Sequence, residues 1–146
     1  MSDVQYHTNW DIRFLDLAFH IAQWSKDPST KVGAVIANDQ HQVLSLGYNG
    51  FPRGVKDLKS RYEDRPTKLL FVAHAERNAL DNAYTDVRGA TLYTTLCPCN
   101  ECAKSIIQRG IGRVISPKPD KEKWVLFNFE TTLTMFRESG VELCLI

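Results

Sequence analysis

The 146-residue sequence lacks a strong charge of either sign. Its 18 Lys and Arg stand against 17 Asp and Glu, a formal net charge of +1. Nucleic acids reward a basic face, so this balance argues against a polyanionic partner. It leaves room for a small anionic ligand, which needs only a few local cations. Long apolar runs are missing too. Residues 1–9 are polar and the other apolar stretches are short, so neither a signal peptide nor a membrane span is expected. A cytoplasmic, reducing setting follows. Cysteine is scarce: Cys97, Cys99, Cys102 and Cys144 are the whole set. Three of them cluster, and in a reducing compartment clustered thiols point to metal or packing rather than disulfides. There is no repeat, no low-complexity tract and no interdomain linker. One domain over residues 1–146 is expected, with the ordinary 43% apolar and 24% charged composition of a globular chain.

What is present reads as alternating elements. Thr8 or Asn9 can cap a helix over residues 10–24, in which Ile12, Leu15, Phe19 and Ala22 repeat at helical spacing, with Phe14, Leu17, Ala18 and Ile21 widening the stripe. Residues 32–37 and 43–46 read as a hairpin around Asn38-Asp39-Gln40. Residues 47–54 carry three glycines and a proline, the mark of a shaped loop. Residues 55–68 are charged, without period, and read as a long loop. A short helix is expected over 74–82, a strand over 91–95 and a helix over 99–109 stopped by Gly110. A short strand over 113–115, a long helix over 124–139 and a strand over 141–146 complete the order. The fold class expected is α/β: a three-layer α/β/α sandwich with a mixed, mostly parallel five-stranded sheet.

The chemistry-bearing feature is split: His74-Ala75-Glu76, then Pro98-Cys99-Asn100-Glu101-Cys102. Cys-x₂-Cys puts two sulfurs on the first turn of a helix, where the N-terminus favours negative sulfur. Pro98 suits that first turn. His74 opens another helix, and two helix N-termini facing each other across a sheet edge can bring three ligands to one point. Three protein ligands leave the fourth position of a tetrahedral zinc ion open to water. Glu76 is then a spare carboxylate able to move protons. Cys-x₂-Cys alone could be a redox pair or half a zinc knuckle, and Cys97 could complete a four-ligand structural site; its position at a strand end is expected to turn it away. His7, His20 and His41 look ordinary, and Cys144 reads as a core thiol.

His-x-Glu followed by Pro-Cys-x-x-Cys is the general signature of zinc nucleobase deaminases. The chain more narrowly resembles the deoxycytidylate (dCMP) deaminases. The further matches are Asp27-Pro28-Ser29-Thr30-Lys31-Val32-Gly33-Ala34, Gly47-Tyr48-Asn49-Gly50-Phe51-Pro52-Arg53-Gly54, His74-Ala75-Glu76-Arg77-Asn78-Ala79 and Ile106-Ile107-Gln108-Arg109-Gly110-Ile111, so the resemblance covers about residues 10–116. It implies Zn²⁺ on His74, Cys99 and Cys102, Glu76 as catalytic proton shuttle, and hydrolysis of dCMP to dUMP and ammonia, supplying dUMP for thymidylate synthesis. Asn49 and Ala75 are expected at the substrate; Asn49 could alternatively be a turn residue. A 5′-phosphate needs donors, for which Ser25 and Lys26 are the expected pair.

The resemblance also implies a homo-oligomer, a hexamer in many members, activated by dCTP with Mg²⁺ and inhibited by dTTP. Gly47, Tyr48, Gly50 and Arg53 fall in the effector region. Some phage-type relatives carry a second, structural zinc; this chain has no Cys or His between His41 and His74, so one zinc per subunit is expected. Deamination of dCTP is a further possible activity of such relatives. Three alternatives stay open: a tRNA or single-stranded DNA deaminase, a free cytidine or cytosine deaminase, and a non-catalytic zinc-stabilised interaction module.

Overall fold

The computed structural model describes residues 8–146; His7 lies outside the described residues. The chain begins with α1 (Asn9–Ala22). Thr8 and Asp11 close a reciprocal cap: the Thr8 hydroxyl accepts the Asp11 N–H at 3.3 Å, and the Asp11 carboxylate accepts the Thr8 N–H at 2.8 Å. The buried stripe of α1 is Phe14, Leu15, Ala18, Ile21 and Ala22; Ile12 and Phe19, expected on it, face solvent.

The hairpin follows as β1 (Gly33–Ala37) and β2 (Val43–Tyr48). Asn38 Oδ1 closes its turn by accepting the N–H groups of Gln40 and Gln42. β2 runs further than expected, so Gly47 and Tyr48 belong to a strand and not to the glycine-rich loop. The segment read as one long loop contains two short helices, α2 (Lys59–Glu63) and α3 (Arg65–Phe71). Their anchor is aromatic: Tyr62 is buried and stacks on Phe51 at 4.1 Å, and Phe71 closes on the same ring. Then come α4 (Ala75–Asp81), β3 (Thr91–Thr94), α5 (Asn100–Gln108) and β4 (Arg113–Ser116).

The expected long helix near the C-terminus is two, α6 (Lys121–Leu126) and α7 (Phe129–Ser139), before β5 (Glu142–Leu145). Asn128 breaks it in the left-handed region, at φ 52°. The break has a use. It lets the Phe127 carbonyl accept the N–H of Asn100, the first residue of α5, at 3.2 Å.

The five strands form one sheet in the order β2-β1-β3-β4-β5. β1 pairs antiparallel with both neighbours, while β3, β4 and β5 pair in parallel. Four strands therefore run one way and β1 alone is reversed, the mixed α/β sandwich expected. α1 covers one face through Phe14, Ala18 and Ile21 against Val35, Tyr93 and Ile115. α4, α5 and α7 cover the other, through Ala75, Ala79, Ala103, Ile106 and Phe136 against Ala34, Ile36, Leu92 and Val114. Alternation along β1 sends Ala34 and Ile36 one way and Val35 and Ala37 the other, so all five of its residues are buried. Among the described residues, no helix is long and apolar enough to cross a membrane.

Candidate active site

Helices α4 and α5 lie side by side on one face of the sheet, not across its edge, and their N-termini meet. His74 is the N-cap of α4 and Cys99 the N-cap of α5. Pro98 stands just before that cap instead of in the first turn. Cys99 Sγ accepts the Cys102 N–H at 3.4 Å, which fixes both sulfurs relative to the helix. His74 Nδ1 lies 3.2 Å from Cys102 Sγ and 3.6 Å from Cys99 Sγ. The three ligand atoms all lie within 4.8 Å of one another, the one such group among the described residues. Cys97 is buried and outside that group, and all four cysteines are free thiols.

The electrostatics divide the roles. Hydrogen bonding from Cys102 and then from His74 pulls the Cys99 thiol down to about 4. Cys102 is pushed in the opposite direction, first by its bond to Cys99 and then by burial. His74 is raised, chiefly by its contact with Cys99. Two sulfurs this close cannot both be anionic without a cation between them. A zinc ion fits the set. Bonds of about 2.0 Å to nitrogen and 2.3 Å to sulfur, arranged tetrahedrally, place those atoms about 3.5 Å apart. The observed separations of 3.6 and 3.2 Å lie on either side of that.

Glu76 sits in the first turn of α4, two residues beyond His74, and is 4% exposed. Burial pushes its carboxyl up to about 7. Burial, then the nearby Glu76, pushes Cys97 up to about 11, so Cys97 stays a neutral thiol. These groups line a cavity of about 280 Å³ together with Asp27, Val32, Asn49, Leu96 and residues of α3 and α6.

Ala75 and Asn49 also line this cavity. Asn49 is built into its wall: Oδ1 accepts the Val32 N–H at 2.8 Å and Nδ2 donates to the Thr30 carbonyl at 2.9 Å. Ser25 and Lys26, the expected phosphate donors, lie away from the lining. The Ser25 hydroxyl donates to the Asn49 carbonyl at 2.7 Å, and Lys26 pairs with Asp57 at 3.0 Å. In the expected effector region, backbone N–H groups are already engaged. The Gly50 N–H donates to the Ala73 carbonyl and the Asn49 N–H to the Val32 carbonyl. Gly47 is packed against α4, Tyr48 ends β2, and Arg53 donates to Asn82 Oδ1. The sequence reading missed the charged lining supplied by Asp27, Arg65, Lys68 and Lys123. Asp27 lies in one of the segments that carry the family resemblance, but nothing local to Arg65 or Lys68 marks them.

Comparison with known proteins bears on this geometry. The family described as "Cytidine and deoxycytidylate deaminase zinc-binding region" matches residues 8–117. A protein of Aliivibrio fischeri described as an uncharacterized deaminase is 38% identical over 138 residues, 92% of each chain. Human deoxycytidylate deaminase is 44% identical over 115 residues, which cover 75% of this chain and 65% of the human one. The crystal structure of dCMP deaminase from the cyanophage S-TIM5 superposes with a TM-score of 0.75 at 24% identity, over 97% of this chain and 100% of that one; this likeness is one of fold.

Proposed function

The chain belongs to the cytidine and deoxycytidylate deaminase family, and we propose that it hydrolyses dCMP to dUMP and ammonia with zinc held by His74, Cys99 and Cys102. The observation that carries this reading is that His74 and Cys99 of that clustered set line one cavity with the buried carboxylate of Glu76. When bound, the ion supplies a water acidified to near neutrality. The protein's part is proton movement and placement. Glu76 takes a proton from the water and carries it to N3 of the pyrimidine, which makes C4 electrophilic. After the water oxygen has added to C4, Glu76 moves the remaining proton from that oxygen to the amino nitrogen, the C4–N bond breaks, C4=O forms and ammonia leaves. Water and dCMP enter; dUMP and ammonia depart. Val32 and Leu96 give the ring apolar walls, and Asn49, held by its own hydrogen bonds, offers a rigid polar edge to the sugar.

The deciding experiment is ammonia release by the zinc-loaded protein from a panel of dCMP, CMP, dCTP, deoxycytidine and cytosine. Preference for dCMP supports the reading. Activity only on tRNA or single-stranded DNA would replace it with a nucleic-acid deaminase, and zinc without ammonia from any substrate would favour an interaction module. The reading extends to a cytoplasmic homohexamer activated by dCTP with Mg²⁺ and inhibited by dTTP. Its support is family membership alone, because Gly47 and Gly50 are committed to packing and pairing. Saturation curves for dCMP with each nucleotide, tracking dCTP's own deamination, test it.

A further inference from the structure

Lys68 is a buried cation with spare donors. Its side chain and that of Asp27 are each 5% exposed, and both residues line the cavity. Lys68 Nζ donates to Asp27 Oδ1 at 3.2 Å. It has no other hydrogen-bond partner among the described residues. An ammonium carries three donor hydrogens, and buried polar groups are normally satisfied. Asp27 cannot give this cation its undivided charge. The same Oδ1 accepts the N–H groups of Ser29 and Thr30 at 2.8 and 3.2 Å, and Oδ2 faces Asn49 Nδ2 at 3.5 Å.

Arg65 adds a second cation. It precedes Lys68 by three residues on α3, a spacing that puts both on one helix face, and both line the cavity. Arg65 has no ion pair and no side-chain hydrogen bond among the described residues. Lys123, the remaining cation of the lining, is already paired with Asp120 at 3.3 Å. Ser29 and Thr30 line the cavity beside Asp27. One side of the cavity thus offers a guanidinium, a buried ammonium and two hydroxyl residues to a ligand that also reaches His74 and Glu76.

We propose that Arg65 and Lys68 form an anion subsite that holds the phosphate of a nucleoside monophosphate, with Asp27 as a positioning residue that aims Lys68. The monophosphate as ligand class rests on the deaminase reading above; the anion subsite itself does not. A guanidinium offers a phosphate paired N–H donors. The buried ammonium supplies discrimination: a nucleoside without phosphate leaves its donors unmet, and a site built around buried polar groups rejects the analogue that cannot satisfy them.

The test uses zinc-loaded protein and calorimetry with dUMP and deoxyuridine, a pair that reads binding without turnover. Three proteins are compared with wild type: Arg65→Gln, Lys68→Arg, and the double variant Asp27→Asn/Lys68→Gln, which removes both buried charges together. Wild type is expected to favour dUMP. Arg65→Gln and the double variant should each lower the dUMP-to-deoxyuridine affinity ratio about ten- to a hundredfold, and Lys68→Arg should keep most of it. The ratio of kcat/KM for dCMP over deoxycytidine should fall in parallel, with zinc content unchanged. If wild type binds dUMP no better than deoxyuridine, or if Arg65→Gln leaves the ratio where it was, the subsite is wrong. Arg65 is exposed, so that variant decides even if the double variant does not fold. A wild-type protein that binds dUMP through these residues yet releases no ammonia from dCMP keeps the subsite and removes the deaminase reading.

Discussion

Gly47 of β2 lies so close to α4 that a Cβ on it would stand 2.4 Å from the Ala79 backbone nitrogen and 2.5 Å from the Ala75 carbonyl oxygen. Both are main-chain atoms, so no change of rotamer can make room. Ala75 sits between His74 and Glu76, and the spacing of β2 from α4 therefore sets where those two side chains stand. Gly47→Ala should push α4 outward and cost about 1–3 kcal/mol, read by denaturant unfolding, with zinc content and turnover falling together. A variant with unchanged stability and turnover that has lost only its response to dCTP would return Gly47 to an effector role.

Glu76 can be tested without disturbing the metal set. Glu76→Gln keeps the size of the side chain and removes its capacity to carry a proton. Turnover of dCMP should fall by about 10²–10⁴ or more, while metal analysis still finds zinc. Near-normal turnover in a zinc-loaded Glu76→Gln protein would remove Glu76 from the mechanism.

How far the site could be read from the chain depended on the distance between cooperating residues. His74-Ala75-Glu76 and Cys99 to Cys102 are local, and each opens a helix, so spacing marks them as candidates, and the fold brings His74, Cys99 and Cys102 together. The α1 cap was legible for the same reason, being a contact across three residues. Its exposed positions were not, since which side of a broad apolar stripe meets the sheet is decided by β1. Helices α2 and α3 have no apolar period because they rest on a few rings, Phe51, Tyr62 and Phe71. The break at Asn128 answers to Asn100, 28 residues away. Lys68 meets Asp27 across 41 residues, a distance no local pattern spans.

The two cysteines nearest the motif should behave differently. If the proposed ligand set is right, Cys102→Ala costs the protein its stoichiometric zinc and, with it, the stabilisation that metal gives the folded state. Cys97→Ala should keep one zinc per chain and cost only the packing of a small buried side chain. Atomic emission on purified variants, with thermal unfolding before and after chelator, reads both. Loss of zinc in Cys97→Ala would make Cys97 a fourth ligand and the site a structural one.

Asp11 ties the outer helix to the sheet, and its contribution should depend on pH. Arg113 of β4 grips both carboxylate oxygens at 2.9 Å, and the Tyr93 hydroxyl of β3 donates to Oδ1 at 2.8 Å. Burial pushes the Asp11 carboxyl up, but the bonds from Arg113, the Thr8 N–H and Tyr93 outweigh it and hold it below the ordinary carboxylate range. A carboxyl lowered on folding stabilises the native state fully above its unfolded value of about 3.9, and that stabilisation is lost as pH falls through the lower, folded value. Asp11→Asn should cost about 1–3 kcal/mol at neutral pH. Subtracting the variant's stability from that of wild type at each pH cancels the contribution of the zinc site. The difference should stay level from pH 7 to about 5 and shrink below about 4. A difference that grows toward acid would mean that Asp11 is raised on folding, and that burial outweighs its partners.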